Sequence, residues 1–198
     1  MGAVEIVGLA ASLSLLAGWR LYLCVFVTGL AMKTGWLELP SHLSALAAIS
    51  NPWVLGAAFT GLVAEFFADK VLWLDSAWDA IHTFVRPVGG ALLALAVVDA
   101  SDPVWQIVAF LLGGGGALLT HSAKASARAL VNASPEPVSN VVVSSAEDVA
   151  TGGLLALAVA YPVAAVGVAL LLLGFALLLL VLARRALKAL LRMGRPAR

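Results

Sequence analysis

Residues 163–183, VAAVGVALLLLGFALLLLVLA, contain neither charge nor proline. A helix rises 1.5 Å per residue, so about 20 apolar residues cross a hydrocarbon core of about 30 Å. This run therefore reads as a transmembrane helix, the least ambiguous span of the chain. Half of the 12 Lys and Arg residues follow it in the tail RRALKALLRMGRPAR, as Arg184, Arg185, Lys188, Arg192, Arg195 and Arg198. Cationic flanks stay on the cytoplasmic side, so the C-terminus is expected there. Over all 198 residues the hydrophobic share is 62% and the charged share 12%, against about 45–50% and about 25% in soluble domains. The class is an integral membrane protein, and a net charge of +1 gives no reason to expect nucleic acid.

Working back towards the N-terminus, further apolar segments appear. Residues 4–32 are too long for one straight span, and Gly18-Trp19-Arg20 is the expected irregularity. An arginine at that depth costs at least about 2.5–3.5 kcal/mol, so Arg20 either faces a partner or snorkels to an interface. The N-terminus has no basic leader region and carries Glu5, so it is expected to be mature protein. Cys24 is the single cysteine, which leaves no intrachain disulfide and reads as a small buried hydrophobe. Residues 33–51 form a mixed connection in which Pro40-Ser41 could cap a short helix and His42 reads as a solvated loop residue. A second span over 52–68 opens with proline. A third apolar segment, 87–98, is short, and Arg86-Pro87 should interrupt the helix there. An acidic turn at Asp99 and Asp102 precedes a fourth span, 103–120, whose four glycines Gly113 to Gly116 favour close backbone approach. Pro135 and Pro137 stop the next helix, Ser144-Ser-Ala-Glu147 reads as a capping box for the fifth, and Tyr161-Pro162 separates the fifth from the sixth. The expected fold is an all-α polytopic membrane protein of about six transmembrane helices. Its units are residues 1–50, the first segment and loop; 51–100, repeat one; 101–161, repeat two; and 162–198, the last span and basic tail.

The repeat rests on GGALLALAV at 89–97 and GGLLALAV at 152–159. Each copy follows a polar passage that follows an apolar span opened by an X-Pro pair. Six spans counted back from a cytoplasmic C-terminus put the N-terminus and both polar passages on the cytoplasmic side, with the repeats parallel. If the passages are re-entrant, the geometry could instead be inverted. Short, Gly/Pro-interrupted segments at matching places in two halves point to a transporter or channel site.

The polar passages supply the candidates. EFFADKVLWLDSAWDAIHTFVRP, residues 65–87, holds Glu65, Asp69, Lys70, Asp75, Asp79, His82 and Arg86. Leu74, Trp78, Ile81 and Val85 form an apolar stripe, with Asp75, Asp79, His82 and Arg86 beside it. Asp75, Asp79 and His82, at i, i+4 and i+7, are candidate metal ligands without an established metal spacing. The competing reading is a solvated helix face with Asp75 as an N-cap. In the second passage, 121–148, His121, Lys124, Arg128 and Asn132 make a basic stripe that could meet an anion or pair with the acidic stripe. Pairing is preferred, because a buried charge left single is costly. Glu147 reads as structural, and Asp148 as a partner for Arg20 or Lys124. No catalytic set is assigned: Asp75-x-x-x-Asp79 lacks the Asp-Gly and Ala-Arg elements of alcohol phosphotransferases, and no zinc-protease or serine-hydrolase motif occurs. The sequence names no cofactor.

The pattern EFxADKxxxxDxAWDxxHTFxRPxxGALLA, with GWRLYL in the first segment, resembles the domain of unknown function 4126 family of small integral membrane proteins. The resemblance covers nearly the whole chain and is carried by Glu65, Asp69, Lys70, Asp75, Trp78, Asp79, His82, Thr83, Arg86 and Pro87. This chain has Leu72-Trp73 where the family often has a proline. The resemblance implies a membrane fold and no activity.

The expectation is thus a small transporter or channel for an ion or small polar solute, set in the lipid bilayer of the cell membrane. Its pathway would use Glu65, Asp69, Asp79, His82, Arg86, His121, Lys124, Arg128 and Asp148, with Arg20 a buried charge in the first span. So small a bundle would gain a pathway by homo-oligomerisation. The alternatives are a non-transporting scaffold locked by its charges, and a membrane-embedded lipid-modifying enzyme.

Overall fold

A computed structural model describes residues 3–36, 47–97, 103–132 and 137–193. The expectations for Pro40-Ser41, His42, Asp99, Asp102 and the end of the tail lie outside the described residues. Among the described residues six α-helices make up the fold: α1 Ala3–Lys33, α2 Pro52–Ala68, α3 Leu72–Val97, α4 Pro103–Asn132, α5 Pro137–Ala160 and α6 Pro162–Met193. Five are long and apolar enough to cross a membrane, and α2 is a shorter apolar helix. The chain is an all-α polytopic membrane protein.

The centre of the bundle is α1, which packs against all five other helices. A helix that is apolar all round belongs in a core, and Leu9, Leu13, Leu16, Ala17 and Cys24 are wholly buried. Helix α1 breaks where expected, with Arg20 in a non-helical conformation at φ −144° and ψ 77°. A kink frees carbonyl groups that hydrocarbon cannot satisfy. Here the carbonyl of Gly18 accepts from Arg86 at 3.4 Å and that of Trp19 from Lys124 at 3.3 Å.

Contacts along α1 give the helix directions. Helix α4 runs parallel to it: Thr120 donates to the carbonyl of Leu15 and Lys124 to that of Trp19. So does α6, where Ser12 donates to the carbonyl of Ala165 and Trp19 stacks on Phe175 at 5.8 Å between ring centroids. Helix α3 runs the other way, since Ser14 reaches Gly90, Arg86 reaches Gly18 and His82 reaches Tyr22. Helix α5 brings Ser144 and Asp148 to Arg20 and ends beside the start of α6, so it too opposes α1. Helix α2 also runs against α1, with Phe59 beside Phe26 and then Asp69 at Arg20.

Successive helices α2 and α3 therefore run in one sense, joined by a turn at residues 69–71, and the Glu65–Arg86 pair sets the end of α2 beside α3. The same directions put Ala3 and Met193 at opposite ends of the bundle, not at one end as a count of six full crossings requires.

Two boundaries differ from expectation. Helix α3 runs unbroken through Pro87, because neighbouring helices can accommodate a proline inside a membrane bundle. Helix α5 opens at Pro137, so the 144–147 capping box is mid-helix. The glycine run of α4 makes the expected close approach. A Cβ on Gly113 would meet Ala94 at 2.5 Å and the Gly90 carbonyl at 2.8 Å. The two Gly-Gly pairs are not in matching surroundings: Gly89 and Gly90 press on Leu21 and Ala117, whereas nothing lies within 4 Å of a Cβ on Gly152 or Gly153.

Candidate functional site

The charged residues of both polar passages converge on the Arg20 kink. Stacking of Trp19 on Phe175 sets the level, eight residues or about 12 Å of helix inside the apolar run that ends at Ala183. The site thus lies near the middle of the long apolar helix.

Five cations, Arg20, Lys70, Arg86, Lys124 and Arg128, meet six carboxylates, Glu65, Asp69, Asp75, Asp79, Glu147 and Asp148. Arg20 pairs with Asp69 and, at 2.7 Å, with Asp148. Lys124 joins Asp69 at 3.1 Å. Arg86 spans Glu65 at 2.6 Å, Asp79 at 3.2 Å and Nδ1 of His121 at 2.6 Å. Arg128 holds Asp75 at 2.8 Å and donates to the backbone carbonyl of Asp69. Lys70 reaches Asp148 at 3.4 Å and the hydroxyl of Ser144 at 3.3 Å, with its ammonium 3.4 Å from the Phe66 ring centroid.

Local structure explains how residues distant in sequence meet. The α2–α3 turn lifts Asp69 and Lys70 out of both helices at the kink, where helix-end carbonyls need donors. The carbonyl of Phe66 takes Lys70 at 3.3 Å, and that of Asp69 takes Arg128. On α4, His121, Lys124 and Arg128 are at i, i+3 and i+7, one face of the helix, which faces α3 and the turn. On α5, Ser144, Glu147, Asp148 and Thr151 form a corresponding polar face.

The partners of the two histidines in the network, His82 and His121, set their tautomers. A guanidinium only donates, so Nδ1 of His121 accepts from Arg86, and its Nε2–H points to Thr83 at 3.0 Å and the carbonyl of Asp79 at 3.2 Å. Nδ1 of His82 donates to the carbonyl of Trp78 at 2.8 Å, leaving Nε2 to accept from the Tyr22 hydroxyl at 3.1 Å. Trp78 stacks on the His82 ring at 4.4 Å between centroids.

The preferred pairing of basic and acidic stripes is therefore what the structure has, and Arg20 faces partners instead of snorkelling. The solvated-face alternative for 75–86 fails, because Asp75, Asp79, His82 and Arg86 are all buried. The metal candidates part company: Asp75 goes to Arg128, Asp79 to Arg86 and His82 to Tyr22. Among the described residues no group of three His, Cys, Asp or Glu could hold a metal ion. Asp75 is no N-cap, since α3 starts three residues before it. Glu147 is no capping residue but faces Arg20 and Lys124 at 3.8 and 3.9 Å.

Exposure is graded across the network. Arg20, Glu65, Asp69, Asp75, Arg86, Lys124 and Arg128 are at most 1% exposed, whereas Lys70 and Asp148 reach 19% and 25%. The corner where the α2–α3 turn meets α5 is the least buried part of the network. An apolar crevice lined by Ala10, Ala11, Leu15, Trp105, Gly113 and Gly116 lies between α1 and α4, apart from these charges.

Beyond the residues expected to form the pathway, the site includes Lys70, Tyr22, Thr83, Ser144 and Glu147. Lys70 and Glu147 could have been found from the cost of leaving a charge alone in a membrane; Tyr22 and Thr83 carry no such signal.

No curated protein and no solved structure matches this chain. A family model described as "Domain of unknown function (DUF4126)" matches residues 7–182, a stretch that takes in every charge of the network. The chain belongs to this family.

Proposed function

We propose that this chain is a small membrane transporter or channel for an ion or small polar solute, its pathway running along the buried charges from the Lys70–Asp148 corner to the Arg86–His121 pair. The observation that carries the reading is the meeting, near mid-helix depth, of the α2–α3 turn, the α1 kink and charges from α1, α2, α3, α4 and α5. Charges at that depth are expensive, and in membrane bundles they mark ion and solute routes. Broken helices place backbone carbonyls where a substrate passes.

The basic end of α6, with exposed Arg184, Arg185 and Lys188, is cytoplasmic in this proposal. Parallel α1 and α6 then place the N-terminus on the far side. The internal repeat and the homo-oligomer belong to the same proposal and are open to cross-linking and mass measurement. Flux into proteoliposomes, over a panel of ions and small polar solutes, tests the function. Wild-type protein is expected to carry at least one species, and Glu65→Gln and Asp79→Asn to slow it at least tenfold; unchanged flux in both sinks the assignment.

A second reading has its own support. The carboxylates of Glu65, Asp69, Asp75, Asp79 and Asp148 each have a cation within hydrogen-bonding reach, as a purely structural lock would. Charge neutralisation that alters thermal stability in a wild-type protein without flux of any species favours this scaffold.

A further inference from the structure

The buried network has one carboxylate too many. Its cations use five of the 12 Lys and Arg residues in the sequence. Lys33, Arg184, Arg185 and Lys188 are exposed, and the remaining three are Arg192, Arg195 and Arg198 of the basic tail. Among the described residues no other Lys or Arg joins the network to supply the missing charge. Neither of the two histidines in the network, His82 and His121, is placed to do so. Nδ1 of His121 accepts from Arg86, and Nε2 of His82 faces a tyrosine hydroxyl, not a carboxylate. An uncompensated charge at this depth is strongly unfavourable, and a carboxyl group relieves it by taking up a proton.

The geometry singles out the carboxyl. Five carboxylates have an Arg or Lys nitrogen within 3.2 Å, close enough for charge-assisted hydrogen bonds. Glu147 does not. Its Oε2 stands 3.8 Å from Arg20 and 3.9 Å from Lys124, is buried and has no hydrogen-bond partner. Its side chain is 10% exposed, and it adjoins Asp148, the most open carboxylate of the network. The other charges acting on it come from each neighbouring element: Arg20 of α1, Asp69 of the α2–α3 turn, Lys124 and Arg128 of α4, and Asp148 beside it on α5.

We infer that Glu147 binds the proton that balances this network, which makes a proton the positive charge the pathway takes up. An O–H bond forms at Oε2 from a water-borne proton entering past Lys70 and Asp148, with no change of oxidation state. The role in a pathway rests on the proposed transport; the proton itself does not.

Infrared spectra of purified protein in detergent at neutral pH test the inference. Wild type is expected to show the carbonyl band of a protonated carboxyl, and Glu147→Gln to lack it. Denaturant unfolding in weakly buffered solution is expected to release one more proton from wild type than from Glu147→Gln. Absence of the band in wild type, its persistence in Glu147→Gln, or equal proton release overturns the inference. Should Glu147→Gln fail to fold, wild type alone decides, because unfolding without proton release is equally fatal. Neither readout involves flux, so failure of transport leaves this result standing, and the reverse holds as well.

Discussion

Arg128 and Asp75 offer the cleanest test of how the helices are held together. Their charged atoms lie 2.8 Å apart with each side chain 1% exposed, and they tie α4 to the start of α3. Such burial sets the magnitude. Removing one partner of a buried pair leaves a charge in low dielectric and costs about 3–5 kcal/mol, whereas an exposed pair is worth about 0–1 kcal/mol. At about 2–4 °C per kcal/mol for a chain of this size, Arg128→Met or Asp75→Asn should lower the melting temperature by about 6–20 °C. The double variant removes both charges and should regain part of that loss, less whatever the Asp69 carbonyl forfeits with its Arg128 donor. Thermal unfolding in detergent, read by intrinsic tryptophan fluorescence as a double-mutant cycle, measures this. Single variants that each move the melting temperature by less than about 2 °C, or losses that simply add, would refute a buried pair here.

The remaining predictions concern packing and hydrogen-bond geometry. A Cβ on Gly18 would overlap the Thr120 hydroxyl and the Ala117 carbonyl, while one on Gly115 meets nothing within 4 Å. Gly18→Ala should therefore destabilise by about 1–3 kcal/mol and Gly115→Ala should be neutral or mildly stabilising, as thermal unfolding of the two would show. Arg86→Lys keeps the charge but cannot reproduce a fork that reaches Glu65, Asp79, His121 and the Gly18 carbonyl. A loss of about 1–3 kcal/mol is expected for the groups left unsatisfied, read in the same assay.

What the sequence made legible was mostly a matter of cost. The 163–183 run spans because nothing in it opposes insertion, and the same cost narrowed Arg20 to a partner or an interface, between which only the structure decides. Opposite stripes on 65–86 and 121–132 implied pairing for the same reason, but not which residues meet. That depends on the three-residue turn that swings Asp69 onto α1 and on the stagger of α3 against α4.

The errors have equally specific causes. Ser144-x-x-Glu147 is the spacing of a capping box and also that of one helix face, so a buried polar face on α5 imitated a helix start. Arg86-Pro87 looked like a break because the ring disfavours helical geometry before it. Arg86 is instead fixed by ion pairs and hydrogen bonds to four groups on other turns and helices, interactions that local sequence does not display. Helix direction was the deepest omission, since hydropathy counts apolar runs and cannot tell that α2 and α3 point the same way.

Whether the charges form a pathway or only a lock is decided most directly at Asp148, the network's most open carboxylate, by reconstituting wild type and Asp148→Asn side by side and measuring flux together with melting temperature. The pathway predicts wild-type flux above that of empty liposomes, cut at least tenfold in Asp148→Asn while the melting temperature moves by only a few degrees. Wild-type flux no greater than that of empty liposomes, with a melting temperature that falls steeply in Asp148→Asn, would contradict it.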